Sequence, residues 1–175
     1  MPRRSQARST LGEDGTAGHE LVIDTWVIAT AGEWLDRQAA FDATGFLYKV
    51  YQSHRMAIDF DGEIEREYRP YINAQPFLQQ WWTQMVGTAR KIVRYSSCPP
   101  RVCRDHLLNR LGFDASDIKF VGVASRTYSK YVVSEDSDYT HEVKQYLFSA
   151  LHITTFTLAE ALHKVNRPPS TAAPL

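Results

Sequence analysis

Leu21-Val22-Ile23-Asp24-Thr25-Trp26-Val27 opens with an apolar run that stops abruptly at a carboxylate. Consecutive apolar residues without alternation suit a strand covered on both faces, the condition met in a parallel sheet. Asp24 is then delivered to the end of that sheet, and the segment after it reads as helical. From 43 to 54, Phe46, Leu47, Val50 and Tyr51 recur at the spacing of a helix face, and Met56 to Phe60 follows as a second strand. Strand, helix and strand in this order make a crossover unit.

The alternation continues outward. Phe77, Leu78, Trp81, Trp82, Met85 and Val86 repeat the helical spacing, Lys91 to Tyr95 suits a short strand, and Pro99-Pro100 marks a break. Val102, Leu107, Leu108 and Leu111 predict a helix closed by Gly112, and a further helix starts near Asp117. Tyr131 to Ser134 is a strand ending at the acidic run Glu135-Asp136-Ser137-Asp138, followed by a helix over 141–150, a strand over 153–156 and a helix over 158–165. Strands alternating with helices predict an α/β fold, a three-layer α/β/α sandwich around a mainly parallel central sheet.

At 175 residues the chain has single-domain length. Residues 1–19 carry scarcely a large apolar side chain and read as a flexible basic arm with Arg3, Arg4 and Arg8; 167–175, with three prolines, reads as a disordered tail. The folded unit is therefore 20–166. Twenty basic residues balance twenty acidic ones, so whole-chain charge selects neither a polyanionic nor a cationic partner. Two cysteines five positions apart make no secreted disulfide framework and no redox pair. No stretch approaches the roughly 18 apolar residues that span a bilayer, and no apolar leader core is present. A cytoplasmic protein without a membrane partner is expected.

Ligand and catalytic sites of parallel sheets gather where the loops leave the carboxyl ends of the strands. Asp24 ends the first strand, and Asp136 with Asp138 follows the strand at 131–134, so residues over a hundred positions apart can meet there. Asp117 at a helix start is a third candidate. Glu63 and Glu67 share one helical face, while Ile64, Tyr68 and Tyr71 offer another to the core. Carboxylates gathered closely repel unless a hard divalent cation such as Mg²⁺ or Mn²⁺ holds them, and such a centre suits phosphoryl chemistry.

The runs LVIDTWV at 21–27, GEIEREY at 62–68, DIKFVGVA at 117–124, VVSEDSDY at 132–139 and HITTFTLAEAL at 152–162 resemble the successive motifs of PIN domains. These are metal-dependent nucleases, mostly ribonucleases, and include the toxins of toxin-antitoxin pairs. The resemblance spans roughly 21–165. It implies Asp24 as the first-strand ligand, Glu67 as the helical glutamate with Glu63 as its alternative, Asp117 as the helix-start aspartate, Asp136 as the aspartate after the later strand and Asp138 as an accessory ligand to Mg²⁺ or Mn²⁺. It also implies an RNA substrate and leaves room for an inhibitory antitoxin-like partner or a homodimer. Trp26 stands where that family commonly has a small polar residue, and it keeps open a second reading, a catalytically inactive PIN-like module that binds RNA or protein. Thr25 and Ser134 are placed to support the carboxylates with hydroxyls.

Between 90 and 130, nine basic residues face three acidic ones, a local charge of +6; Arg90, Arg94, Arg126 and Lys130 are the candidates within it for contact with a phosphate backbone near the carboxylates. Trp81 and Trp82 can stack on bases, but their spacing favours core or interface. Cys98, Cys103 and His106 lack a fourth zinc ligand, and Asp59-x-Asp61-x-Glu63 lacks the glycine and the closing glutamate of a calcium loop. A haloacid-dehalogenase phosphatase needs a second Asp where Trp26 stands, a phosphate-receiving signalling domain needs an acidic pair that is missing, and no phosphate-cradling glycine loop is present.

Overall fold

The computed structural model describes residues 18–33 and 35–166. The expected arm and tail lie outside the described residues, except for Gly18 and His19. His19 belongs to the folded unit: its ring stacks on His54, and its backbone N–H donates to His54 Nδ1 at 3.0 Å.

Five strands, β1 (Glu20–Ile23), β2 (Arg55–Asp59), β3 (Ile92–Tyr95), β4 (Tyr131–Val133) and β5 (Thr154–Phe156), form one sheet in the order β3-β2-β1-β4-β5. Every neighbouring pair is parallel, with Val22 opposite Val132 at the centre. Both central strands are apolar throughout their middles because helices cover both faces, so Val22, Ile23, Val132 and Val133 are fully buried.

The helices are α1 (Thr25–Gly32), α2 (Arg37–Ser53), α3 (Glu63–Ala74), α4 (Pro76–Gly87), α5 (Arg101–Arg110), α6 (Ile118–Ala124), α7 (His141–Leu151) and α8 (Leu158–Val165). Helix α1 packs on α2 and α3, and α8 packs on α2. Helix α6 lies over β1, β2 and β4, with Phe120, Val121, Val123 and Ala124 buried. The result is the expected three-layer α/β/α architecture. No helix among the described residues is long and apolar enough to cross a membrane.

Two details differ from the sequence expectation. Ile72, not Tyr71, continues the core stripe of α3, because the stripe is centred on Tyr68 and runs on by four residues; Tyr71 is exposed. Trp81 is buried and donates its indole N–H to the Leu47 carbonyl at 2.9 Å, which ties α4 to α2, while half-buried Trp82 meets Tyr68 edge to face. Neither indole forms an open stacking platform.

Candidate metal centre

The first three strands proceed outward to one side of the sheet and the last two to the other, so the topology reverses between β1 and β4. Loops that leave the carboxyl ends of these two neighbours diverge and open a crevice there. Asp24 and Ser134 are the residues that follow the two strands, and their side chains meet: the Ser134 hydroxyl donates to Asp24 Oδ2. The other oxygen of Asp24 accepts the backbone N–H of Trp26 at 3.1 Å, as the N-cap of α1. The substitution at Trp26 therefore leaves this bond intact, since the amide rather than the side chain supplies it.

Beyond Ser134 the chain turns tightly. The Asp136 N–H donates to Ser134 Oγ at 2.9 Å and the Asp138 N–H to Asp136 Oδ1 at 2.8 Å. This turn sets Asp136 and Asp138 on the same side as Asp117. Among the described residues, these three aspartates form the group whose carboxylate oxygens all lie within 4.8 Å of one another, close enough to hold a metal ion. Glu135 turns away and accepts the Leu158 N–H at 3.0 Å, at the start of α8.

Asp117 stands at the N-cap position of α6 but makes no side-chain capping bond, so a capping role does not account for it. Burial and the charges of Asp24 and Asp136 push its pKa up to about 7, against a smaller opposing effect of Lys119. Burial also raises Asp24, while the bonds from Ser134 and Trp26 pull it down and the charges of Asp136 and Glu67 push it up again. Tyr139 completes the surroundings. Its ring packs edge-on against Phe113, and its hydroxyl is the one buried side-chain polar atom without a hydrogen-bond partner among the described residues. The same hydroxyl feels the charges of Asp24, Asp117, Asp136 and Asp138, which with burial raise its pKa well above the ordinary value. A hard oxygen donor set, with one carboxylate forced toward neutrality and a stranded hydroxyl beside it, fits a divalent cation.

Glu67 sits next to this trio rather than within it. Its Oε2 accepts the Thr25 hydroxyl at 2.9 Å and its Oε1 pairs with Lys119 Nζ at 2.7 Å. Glu63 lies one turn earlier, and its backbone N–H is held by Asp59 Oδ2 at 2.7 Å. The fully buried Asp59 also accepts the Ile64 N–H, so the apparent calcium-loop pattern serves as a cap of α3. Tyr68 on the same helix donates its hydroxyl to the Ile23 carbonyl, next to Asp24.

Lys119, one of the nine basic residues between 90 and 130, is buried, bonded to Glu67 and to the Ser116 carbonyl. Of the four residues expected to contact phosphate, three lie at the opposite end of the sheet from the carboxylates. Lys130 immediately precedes β4, Arg90 lies two residues before β3, and Arg126 follows α6 at the same end of the sheet, away from the carboxylates. Arg94 pairs with Glu65 at 3.0 Å and donates to the Asp59 carbonyl. The cations beside the site are instead Arg66, Arg104 and Lys119, which share with Glu63 and Glu67 the wall of a cavity of about 570 Å³. Cys98 opens into this cavity, whereas His106 stacks on Tyr146 at 4.2 Å, so no zinc cluster is assembled.

Comparison with family models, curated proteins and solved structures yields no match.

Proposed function

We propose that this chain is a divalent-metal-dependent endoribonuclease of PIN-like type, acting in the cytoplasm on RNA. The observation that carries the reading is the convergence of Asp117, Asp136 and Asp138 at the topological reversal of the sheet, with the unpartnered Tyr139 hydroxyl against them. The order of the five sequence motifs supports it. Asp117, Asp136 and Asp138 would hold Mg²⁺ or Mn²⁺, with Asp24 as a neighbouring carboxylate. A divalent cation there supplies positive charge for a phosphate oxygen and a nucleophilic water at neutral pH.

The chain's own groups set up the rest. Ser134 joins Asp24 to Asp136 through one hydroxyl, which fixes the spacing of the two carboxylates. Thr25 and Lys119 hold Glu67 from both oxygens. Arg66 and Arg104 line the adjoining cavity, where guanidinium groups suit phosphate oxygens of a bound strand. Attack of the activated water in line with the P–O3′ bond, which breaks with the 3′ oxygen leaving, would give a 5′ phosphate and a 3′ hydroxyl.

The test is incubation of single-stranded RNA and DNA panels with the full chain and with Asp136→Asn, in Mg²⁺, Mn²⁺ or EDTA, mapping the product ends. Metal-dependent RNA cuts with 5′ phosphate ends, lost in the variant, are expected. A folded wild-type chain that binds RNA without cutting it would overturn the enzymatic reading in favour of a PIN-like binding module.

A further inference from the structure

Four of the carboxylates at this end of the sheet fall into two sets. Glu67 has both oxygens engaged, one by the Thr25 hydroxyl at 2.9 Å and one by the Lys119 ammonium at 2.7 Å. Lys119 is anchored in turn: its ammonium also donates to the Ser116 carbonyl and lies 4.7 Å from the centre of the Phe120 ring, and its side chain is 8% exposed. Among the described residues, Asp117, Asp136 and Asp138 have no cation beside them at ion-pair distance, and the Tyr139 hydroxyl, which feels their charges, is buried without a partner.

We propose that the centre is built for a single divalent cation on Asp117, Asp136 and Asp138, and that Lys119 is a resident second cation that claims Glu67 and presents positive charge to the substrate cavity. The proposal deepens the metal-centre reading and rests on it. A second metal ion next to Glu67 would have to displace an ammonium already held by charge-assisted hydrogen bonds to Glu67 and the Ser116 carbonyl, and the two cations would repel at close range. An ammonium there performs the electrostatic part of a second ion's task, since a fixed positive charge next to the reacting phosphate stabilises the charge that develops on its oxygens. The cavity lining agrees with this role: Lys119 and Glu67 line the cavity that Arg66 and Arg104 share, and Ser116 and Ile118, the chain neighbours of Asp117, belong to the same wall. Lys119 is thus a positioning and charge-supplying residue of the site.

The experiment is calorimetric titration of the full chain with Mn²⁺, reading stoichiometry and affinity, with circular dichroism to confirm folding. Wild type is expected to bind one Mn²⁺ per chain. Asp136→Asn weakens that binding by about tenfold or more, as loss of a ligand does, whereas Glu67→Gln changes it by less than about threefold. Lys119→Gln, which frees Glu67, brings the stoichiometry to two, and Lys119→Arg restores one. Two ions on the wild-type chain, a single ion on a folded Lys119→Gln chain, or an effect of Glu67→Gln as large as that of Asp136→Asn would overturn the proposal while leaving a metal centre in place. No binding by wild type would overturn the metal-centre reading itself, and this proposal with it. Should Lys119→Gln fail to fold, the wild-type stoichiometry and the Glu67→Gln affinity decide.

Discussion

Ser134 and Asp24, 110 residues apart in the chain, are joined by a hydrogen bond across the seam between β4 and β1. The same serine oxygen accepts the Asp136 N–H at 2.9 Å, so one hydroxyl couples a carboxylate of the first strand to the turn that carries the aspartate trio. Ser134 is 1% exposed, so bulk solvent does not reach this hydroxyl. Ser134→Ala is therefore expected to weaken Mn²⁺ binding by about tenfold, the size of effect typical for residues that orient metal ligands. It should also cost about 1–2 kcal/mol of stability for the Asp24 oxygen and the Asp136 N–H left without this partner. Titration calorimetry and a urea melt measure the two effects; an unchanged Mn²⁺ affinity would show that Ser134 does not organise the site.

Asp117 gives the metal-free protein a characteristic response to pH. Its pKa is about 7 in the fold against an ordinary 3.8. Between these values the native state holds a proton that the unfolded chain has released, so this group stabilises the fold at low pH and loses that contribution as pH rises toward 7. His19 and His54, whose pKa values burial lowers, act in the opposite direction over part of the same range. The comparison of wild type with Asp117→Asn isolates the aspartate. The variant's melting temperature should gain on that of wild type from about pH 4 to pH 7 and run parallel above. Mn²⁺ must displace the same proton, so binding at pH 6 should release protons, seen as a dependence of the binding enthalpy on buffer, and binding at pH 8 should release almost none.

The strands were legible because a parallel strand covered on both faces leaves an unbroken apolar run, and each of Leu21–Ile23 and Tyr131–Val133 ends at a polar residue where the sheet ends. Asp24, Asp117, Asp136 and Asp138 were legible for the same reason, since they follow those runs or open the helix between them. Pairwise chemistry was not legible. Nothing in the spacing of 67 and 119 announces an ion pair, because it depends on how α3 and α6 approach each other across the end of the sheet. Local charge also misled at Arg90, Arg126 and Lys130: a count along the chain does not record that a strand carries its two flanks to opposite ends of the sheet. Asp138 ranked as an accessory by motif, yet its turn places it inside the trio, while Glu67 stands beside it.

Tyr68 fixes the depth at which α3 docks. Its fully buried hydroxyl donates to the Ile23 carbonyl, the last of β1, one residue before Asp24. Tyr68→Phe retains the ring and its edge-on contact with Trp82 and removes only the donor. The expected loss is about 1–2 kcal/mol, read from chemical denaturation, because a buried carbonyl loses a partner. The accompanying change at the site is a faster hydrogen exchange of the Asp24 and Thr25 amides; unchanged protection there would mean that α3 is seated by its apolar stripe alone.

Two glycines separate close approach from simple helix weakness. Gly122 lies in α6 where the Ser97–Cys98 backbone crosses it, and a Cβ at this position would lie 1.8 Å from the Ser97 carbonyl oxygen. That loop also forms part of the wall of the cavity next to Glu67. Backbone cannot give way as a side-chain tip can, so Gly122→Ala should displace the loop and destabilise the fold by about 3 kcal/mol, the upper range for overpacking. Gly45, in the interior of α2, has nothing within 4 Å of such an atom. There the only term is helix propensity, and Gly45→Ala should stabilise by about 0.5–1 kcal/mol. Paired denaturation of the two variants tests the placement of the loop, since equal and small effects would mean that Ser97 does not cross α6 at Gly122.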